Sequence, residues 1–124
     1  MKKILVISGI HGDEPSGPHA LFKFIDDENF SKRLTKNLSL DIIPLVNPWG
    51  FYNKKRFNKN GKDLNRYFFN KPIHNEPYEC RLLRKFFITL KTPYDLLISF
   101  HEDFERKELY LYDLGNGRHS PLIQ

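Results

Sequence analysis

The chain opens on an unbroken apolar run, Ile4-Leu5-Val6-Ile7 within Lys3–Ser8. Such a run predicts a strand buried on both faces of a parallel sheet. Gly9 and Gly12 bracket a turn, and Pro15, Ser16 and Gly17 begin a helix whose spacing is carried by Ala20, Leu21, Phe24 and Ile25. Residues 26–37 are polar and predict a loop. Leu38–Val46 reads as a second strand, and Pro44 inside it implies an edge position or an early end. Residues 47–75 show little periodicity; Asn47-Pro48-Trp49-Gly50, Asn60-Gly61 and Lys71-Pro72 are turn signals. A loop of that length in a compact domain is uncommon unless it is functional. Residues 76–90 form the strongest helical pattern, with Leu82, Leu83, Phe86, Phe87 and Leu90 on one stripe. Asn75 is the expected N-cap and Thr92-Pro93 the stop. Leu96–Phe100 predicts a third buried strand running into His101, and Leu109–Leu114 a fourth with Tyr110 and Tyr112 on one face.

Strands alternating with helices predict an α/β protein, a mostly parallel sheet with helices on both faces and right-handed crossovers. Ligands collect beyond the carboxyl ends of such strands. His11 and Glu14 follow the first strand, the long polar loop follows the second, and His101 closes the third. Three chemically rich segments therefore meet at one sheet edge.

Composition narrows the chemistry. The 124 residues suit one domain, 1–124, and 40% hydrophobic with 15% aromatic residues suffices for a folded interior. Cys80 is the sole cysteine, which rules out an internal disulfide or a cysteine-rich zinc ribbon. A metal site must use histidines and carboxylates. The net charge of +5 suits anionic substrates or nucleic acid without choosing between them. The first apolar run is too short to span a membrane and runs into His11-Gly12-Asp13-Glu14, so a cytoplasmic protein with no membrane partner is expected.

His11-x-x-Glu14 places an imidazole and a carboxylate within one turn, so both can reach one ion. Catalytic zinc takes three protein ligands of this kind and keeps a fourth position for water. His101 from the same sheet edge makes the third. Each feature alone is common by chance; their convergence predicts a site with one Zn2+. The loop adds Arg56, Asp63, Asn65 and Arg66. Arginine presents a planar fork suited to a carboxylate, and Asp63 can back the non-ligating nitrogen of a zinc-bound histidine. Lys54, Lys55, Arg56, Lys59, Lys62 and Arg66 also read as a solvated basic loop, the stronger reading on composition alone. His19, His74 and His119 show no partner pattern and read as structural or exposed.

His11-Gly12-Asp13-Glu14, Asn47-Pro48-Trp49-Gly50, Asp63-Leu64-Asn65-Arg66 and Ser99-Phe100-His101, in that order, resemble the zinc carboxypeptidase superfamily. That superfamily includes the aspartoacylase and succinylglutamate desuccinylase branch. The resemblance covers residues 1 to about 115 and implies a truncated zinc carboxypeptidase-like (phosphorylase/hydrolase-like) fold. It matches His11, Glu14 and His101 to the zinc ligands and Asn65-Arg66 to the substrate-carboxylate clamp. It matches Asp63 to the acid that orients the first histidine, and Arg56, more loosely, to the arginine that steadies the oxyanion. The implied reaction is amide hydrolysis beside a free carboxylate, with a glutamate as proton carrier.

The family's catalytic glutamate lies on a strand well beyond the third ligand, whereas this sequence ends at Gln124. Glu102 adjoins His101 and points to the opposite face if extended, and Asp103 and Glu105 do not match the family position. Glu102-Asp103-Phe104-Glu105 reads first as a solvated turn or as support for the ligands. The expectation is an N-terminal part that holds zinc and turns over weakly or not at all, with a sheet edge open to self-association. Three activities remain: a metallocarboxypeptidase acting on peptide C-termini, an N-acyl amino acid amidohydrolase, and a nucleic-acid binder using the basic and aromatic 51–69 loop. The last predicts strongly salt-dependent binding and leaves His11, Glu14 and His101 unexplained.

Overall fold

A computed structural model describes residues 1–68 and 71–108. The elements are β1 (Lys2–Ile7), α1 (Ser16–Asp26), α2 (Glu28–Leu34), β2 (Leu38–Ile43), α3 (Pro48–Asn53), α4 (Tyr78–Thr89) and β3 (Leu96–Ser99). Short 3-10 turns occupy Thr35–Asn37 and Leu64–Arg66. The sheet is parallel in the order β2-β1-β3, with Ile7 of β1 facing Ile43 on one side and Ser99 on the other. The expected strand Leu109–Leu114 and His119 lie outside the described residues.

β1 is central, which explains its unbroken apolar run. Leu5, Val6 and Ile7 are all buried. Leu5 and Ile7 face a core completed by Ile10, Val46, Leu64, and Cys80 and Leu83 of α4. The alternate positions face α1: a side chain at Gly17 would meet Ser8 Cβ at 3.0 Å and Phe100 Cβ at 3.1 Å. Helices thus cover both faces, and the α/β expectation holds. Cys80 is a packed residue, its thiol pushed up to about 12 by burial and by Glu79 and Glu76. Among the described residues no helix is long and apolar enough to cross a membrane.

Several local expectations are corrected. Residues 26–37 are mostly helical, because Asp27 accepts from the Phe30 N–H at 2.9 Å and Lys32 pairs with Glu28 at 2.9 Å. None of α2 is buried, so it leaves no apolar stripe to read. β2 stops at Ile43 and not at Val46, the early end that Pro44 implied, and among the described residues it lies at a sheet edge. The long loop contains α3, capped by Asn47 with Pro48 in its first turn. Asn75 does not cap α4; it adopts φ 57° and Pro77 occupies the cap position. β3 is not a buried strand, since Leu96 and Leu97 are 50% and 46% exposed. It pairs only with β1 among the described residues. Likewise Leu83 of the α4 stripe is buried, while Leu82, Phe86 and Phe87 are exposed.

Candidate metal centre

The carboxyl end of β1 sets the first two candidate ligands. The chain leaves the strand through Gly9 at φ 66°. Ile10 then drops into the core and leaves His11 facing the sheet edge, 2% exposed. Gly12 follows where the backbone presses against the α3 segment: a Cβ there would lie 2.0 Å from the Gly50 carbonyl carbon and 2.4 Å from the Lys55 carbonyl oxygen. Only glycine allows that approach. The Glu14 N–H donates to the His11 carbonyl at 3.4 Å, so both side chains issue from one tight turn. His101 arrives from β3, two residues past Ser99.

Glu14, itself buried, joins these elements. Its Oε1 lies 2.7 Å from His11 Nδ1, and its Oε2 lies 2.9 Å from His101 Nδ1. The Glu102 N–H donates to Oε2 at 3.1 Å, and Arg56 Nη1 reaches Oε1 at 3.4 Å. Behind the first ring, His11 Nε2 lies 3.0 Å from Asp63 Oδ1. The two imidazoles stand 5.1 Å apart between centroids, tilted by 58°. One ligand atom from each of His11, Glu14 and His101 falls within 4.8 Å of the others. The trio borders an open cleft of about 410 Å³, walled also by Arg56 and the Glu102–Glu105 segment.

Burial alone would push Glu14 toward protonation. Hydrogen bonds from His101 and His11 and from the Glu102 N–H outweigh it and hold the carboxyl at about 2. Burial opposes a charged His11, yet its hydrogen bonds to Glu14 and Asp63 raise it above 6.5. Asp63 is lowered against its own burial by the bond to His11. Two carboxylates thus clasp an imidazole whose pKa they raise. Two ring nitrogens and a carboxylate facing one point, with the other ring nitrogen of His11 backed by Asp63, form a donor set that fits zinc.

Asp63 owes its position to its neighbour. Leu64 is fully buried, and Asp63 caps the short turn by accepting the Asn65 N–H at 3.0 Å. Asn65 and Arg66 are exposed on that turn and stand outside the cleft wall. Arg56 is nearer: besides Glu14, its Nε lies 3.6 Å from Asp63 Oδ2. His19 and His74 are exposed, His19 edge-on to Phe51.

Two supporting residues, Asn47 and Asn58, escaped the sequence reading as anchors. Asn47 is fully buried; its Oδ1 accepts from the Gly50 N–H at 2.9 Å, and its Nδ2 reaches the Ile10 and Arg56 carbonyls at 3.4 and 3.5 Å. It ties the end of β1 to the segment carrying Arg56. Asn58 is 2% exposed; its Oδ1 accepts from the Asn60 and Lys62 N–H groups, and its Nδ2 donates to Glu79 at 3.1 Å. Glu102 gives the support that the sequence reading of its segment offered as one alternative: its backbone N–H holds Glu14. Asn before Pro signals a helix cap, and Asn-x-Asn-Gly signals an Asx turn; both were legible as turns but not as buried anchors.

Comparison with known proteins identifies the family and the fold. The succinylglutamate desuccinylase/aspartoacylase catalytic domain matches residues 1–122. Over 69 residues the chain is 39% identical to carboxypeptidase SOL1 of Arabidopsis thaliana, covering 50% of this chain and 14% of that protein. A protein of Shewanella amazonensis SB2B, solved as a candidate metallopeptidase, superposes with a TM-score of 0.71 at 34% identity, covering 82% of this chain and 40% of its own. A metallo-carboxypeptidase from Pseudomonas aeruginosa superposes with a TM-score of 0.64 at 25% identity, covering 82% of this chain and 28% of its own. The chain therefore spans less than half the length of the relatives it matches. On fold, motif order and family match together, this chain belongs to the succinylglutamate desuccinylase/aspartoacylase catalytic domain family, within the zinc carboxypeptidase superfamily.

Proposed function

We propose that this chain carries the zinc centre of a metallocarboxypeptidase-type hydrolase that cleaves an amide bond beside a free carboxylate. The observation that carries the reading is the convergence of His11, Glu14 and His101 within 4.8 Å. Zinc held there would lower the pKa of a bound water and polarise the substrate carbonyl.

The remaining roles fall to the protein's own groups. Asp63 fixes the His11 ring from behind by its 3.0 Å contact with Nε2. Arg56 is 45% exposed at the cleft, and its guanidinium is placed to donate to a carbonyl oxygen as negative charge develops there. Arg56 also touches both Glu14 and Asp63, so substrate would draw it from those carboxylates. Asn65 and Arg66, on the turn that Asp63 caps beside the cleft and not in its wall, are assigned the carboxylate clamp by family resemblance alone. The Pseudomonas aeruginosa relative was solved with (2-guanidinoethylmercapto)succinic acid, a dicarboxylate, which agrees with a clamp of this kind. Glu102 is unsuited as the proton acceptor, because one oxygen binds the Ser16 N–H at 3.0 Å and the other is buried.

The favoured substrate is a peptide C-terminus, in line with the relatives named as carboxypeptidases. The family match keeps an N-acyl amino acid as the second candidate. The 124 residues by themselves are expected to hold zinc and hydrolyse slowly. The test is a zinc titration followed by single-turnover assays on a C-terminal dipeptide and an N-acetyl amino acid. Slow cleavage that disappears in Arg56→Ala fits the reading; failure to take up zinc rejects it.

A further inference from the structure

Glu14 and His11 share one turn, whereas His101, 87 residues from Glu14 in sequence, follows the end of β3. Something must lock the distant ligand to the local pair. Three hydrogen bonds run between the two segments. His101 Nδ1 meets Glu14 Oε2 at 2.9 Å, and the Glu102 N–H donates to the same oxygen at 3.1 Å. Returning the other way, Glu102 Oε1 accepts the Ser16 N–H at 3.0 Å.

Ser16 opens α1, an 11-residue helix preceded by Pro15, which provides no side-chain cap. The first-turn N–H groups of a helix lack intrahelical partners, and the helix dipole favours a negative group there. α1 has no acidic residue of its own in the first turn. The Glu102 carboxylate therefore caps α1 from across the sheet edge. α1 begins two residues after Glu14, so the cap and the ligand belong to one rigid unit.

We infer that Glu102 is a positioning residue for the metal centre: by capping α1 with its side chain while its backbone N–H holds Glu14, it fixes His101 against the His11–Glu14 pair. The inference rests on the zinc reading proposed above. It gives the acidic residue beside His101 a task other than proton transfer. It also accounts for a carboxylate kept against a cleft lined by other acids, with its second oxygen buried and no partner among the described residues.

The test compares wild type, Glu102→Ala and Glu102→Gln. Glutamine keeps a neutral oxygen that can accept the Ser16 N–H; alanine keeps none. Three quantities are read: zinc affinity by competition with a chromophoric chelator, the visible spectrum of the Co(II)-substituted protein, and the His101 ring signals of the metal-free protein by 15N NMR. Loss of a group supporting a metal ligand typically weakens binding about 10–100-fold. Glu102→Ala is expected to weaken zinc by that factor, alter the cobalt spectrum and remove the hydrogen-bonded His101 signal. Glu102→Gln is expected to recover zinc affinity to within about threefold of wild type, since acceptance of one N–H is restored. Wild-type affinity and spectra in Glu102→Ala overturn the inference, as does an equal loss in both variants. Wild type that binds neither metal rejects the zinc reading instead; the NMR comparison, made without metal, still decides whether Glu102 holds His101.

Discussion

Gly12→Ala is the sharpest probe of how the fold presents its ligands. The added methyl carbon would sit 2.0 Å from the Gly50 carbonyl carbon and 2.4 Å from both the Gly50 and Lys55 carbonyl oxygens. All three obstacles are backbone atoms, which no rotamer change relieves. Reaching ordinary contact near 3.4 Å requires a separation of about 1.4 Å. A movement of that size breaks the Gly12 N–H bond to the Arg56 carbonyl and draws Arg56 and Asp63 away from Glu14 and His11. Overpacking costs ~1–3 kcal/mol, and rigid backbone places this case at the upper end, ~3 kcal/mol. With an unfolding entropy of ~2.1 cal/mol/K per residue, the midpoint falls by ~12 °C. Gly61→Ala is the control: Gly61 has φ 69° with nothing within 4 Å of a Cβ. Its cost is backbone strain alone, ~1–2 kcal/mol or ~4–8 °C, with zinc affinity unchanged. Circular-dichroism melts and a zinc titration on both variants decide the matter. A Gly12→Ala protein that melts within ~3 °C of wild type and binds zinc as well would refute the reasoning.

Asp63→Ala leaves His11 Nε2 without its carboxylate partner and should weaken zinc about 10–100-fold by competition titration. Zinc affinity should rise with pH through and beyond 6.5, because His11 is raised above that value and must shed its proton to bind; calorimetry in buffers of different ionisation enthalpy will show the proton released. In the metal-free protein, Glu14 contributes stability that is present above pH 4.5 and lost as pH falls toward 2, and His11 contributes stability present below 6.5 and lost as pH rises through its folded value. Melts across that range should therefore decline at both ends. Leu64→Ala opens a cavity at a fully buried site and should cost ~2–5 kcal/mol in urea unfolding while also loosening the turn that carries Asp63.

What was legible in the sequence was whatever a local pattern dictates. The β1 run, the α1 spacing and the helical stripe before Pro93 each mark an element, and all three form. Ligand candidates were legible because strand ends in a parallel sheet share one edge, which carries His11 and His101 to Glu14. α2 was missed because it buries nothing and is held by a cap and an ion pair, so periodicity had nothing to report. The exposure of Leu96, Leu97 and Phe87 was equally invisible, since apolar spacing states which face a residue shares and not whether another layer covers it. Asn47 and Asn58 act through tertiary hydrogen bonds to residues 37 and 21 positions away, and Glu102 reaches Glu14 and Ser16 from 88 and 86, distances that no spacing rule encodes; for Glu102 the sequence offered support for the ligands but not which groups it would hold.

The central claim is that three named side chains hold one zinc ion, and elemental analysis tests it most directly. Wild type and His101→Ala, each equilibrated with zinc and desalted identically, are measured for metal per chain while circular dichroism checks the fold. About one zinc per folded wild-type chain, with most of it lost in folded His101→Ala, is the predicted result. Equal zinc in the two proteins, or none in either, would contradict the account.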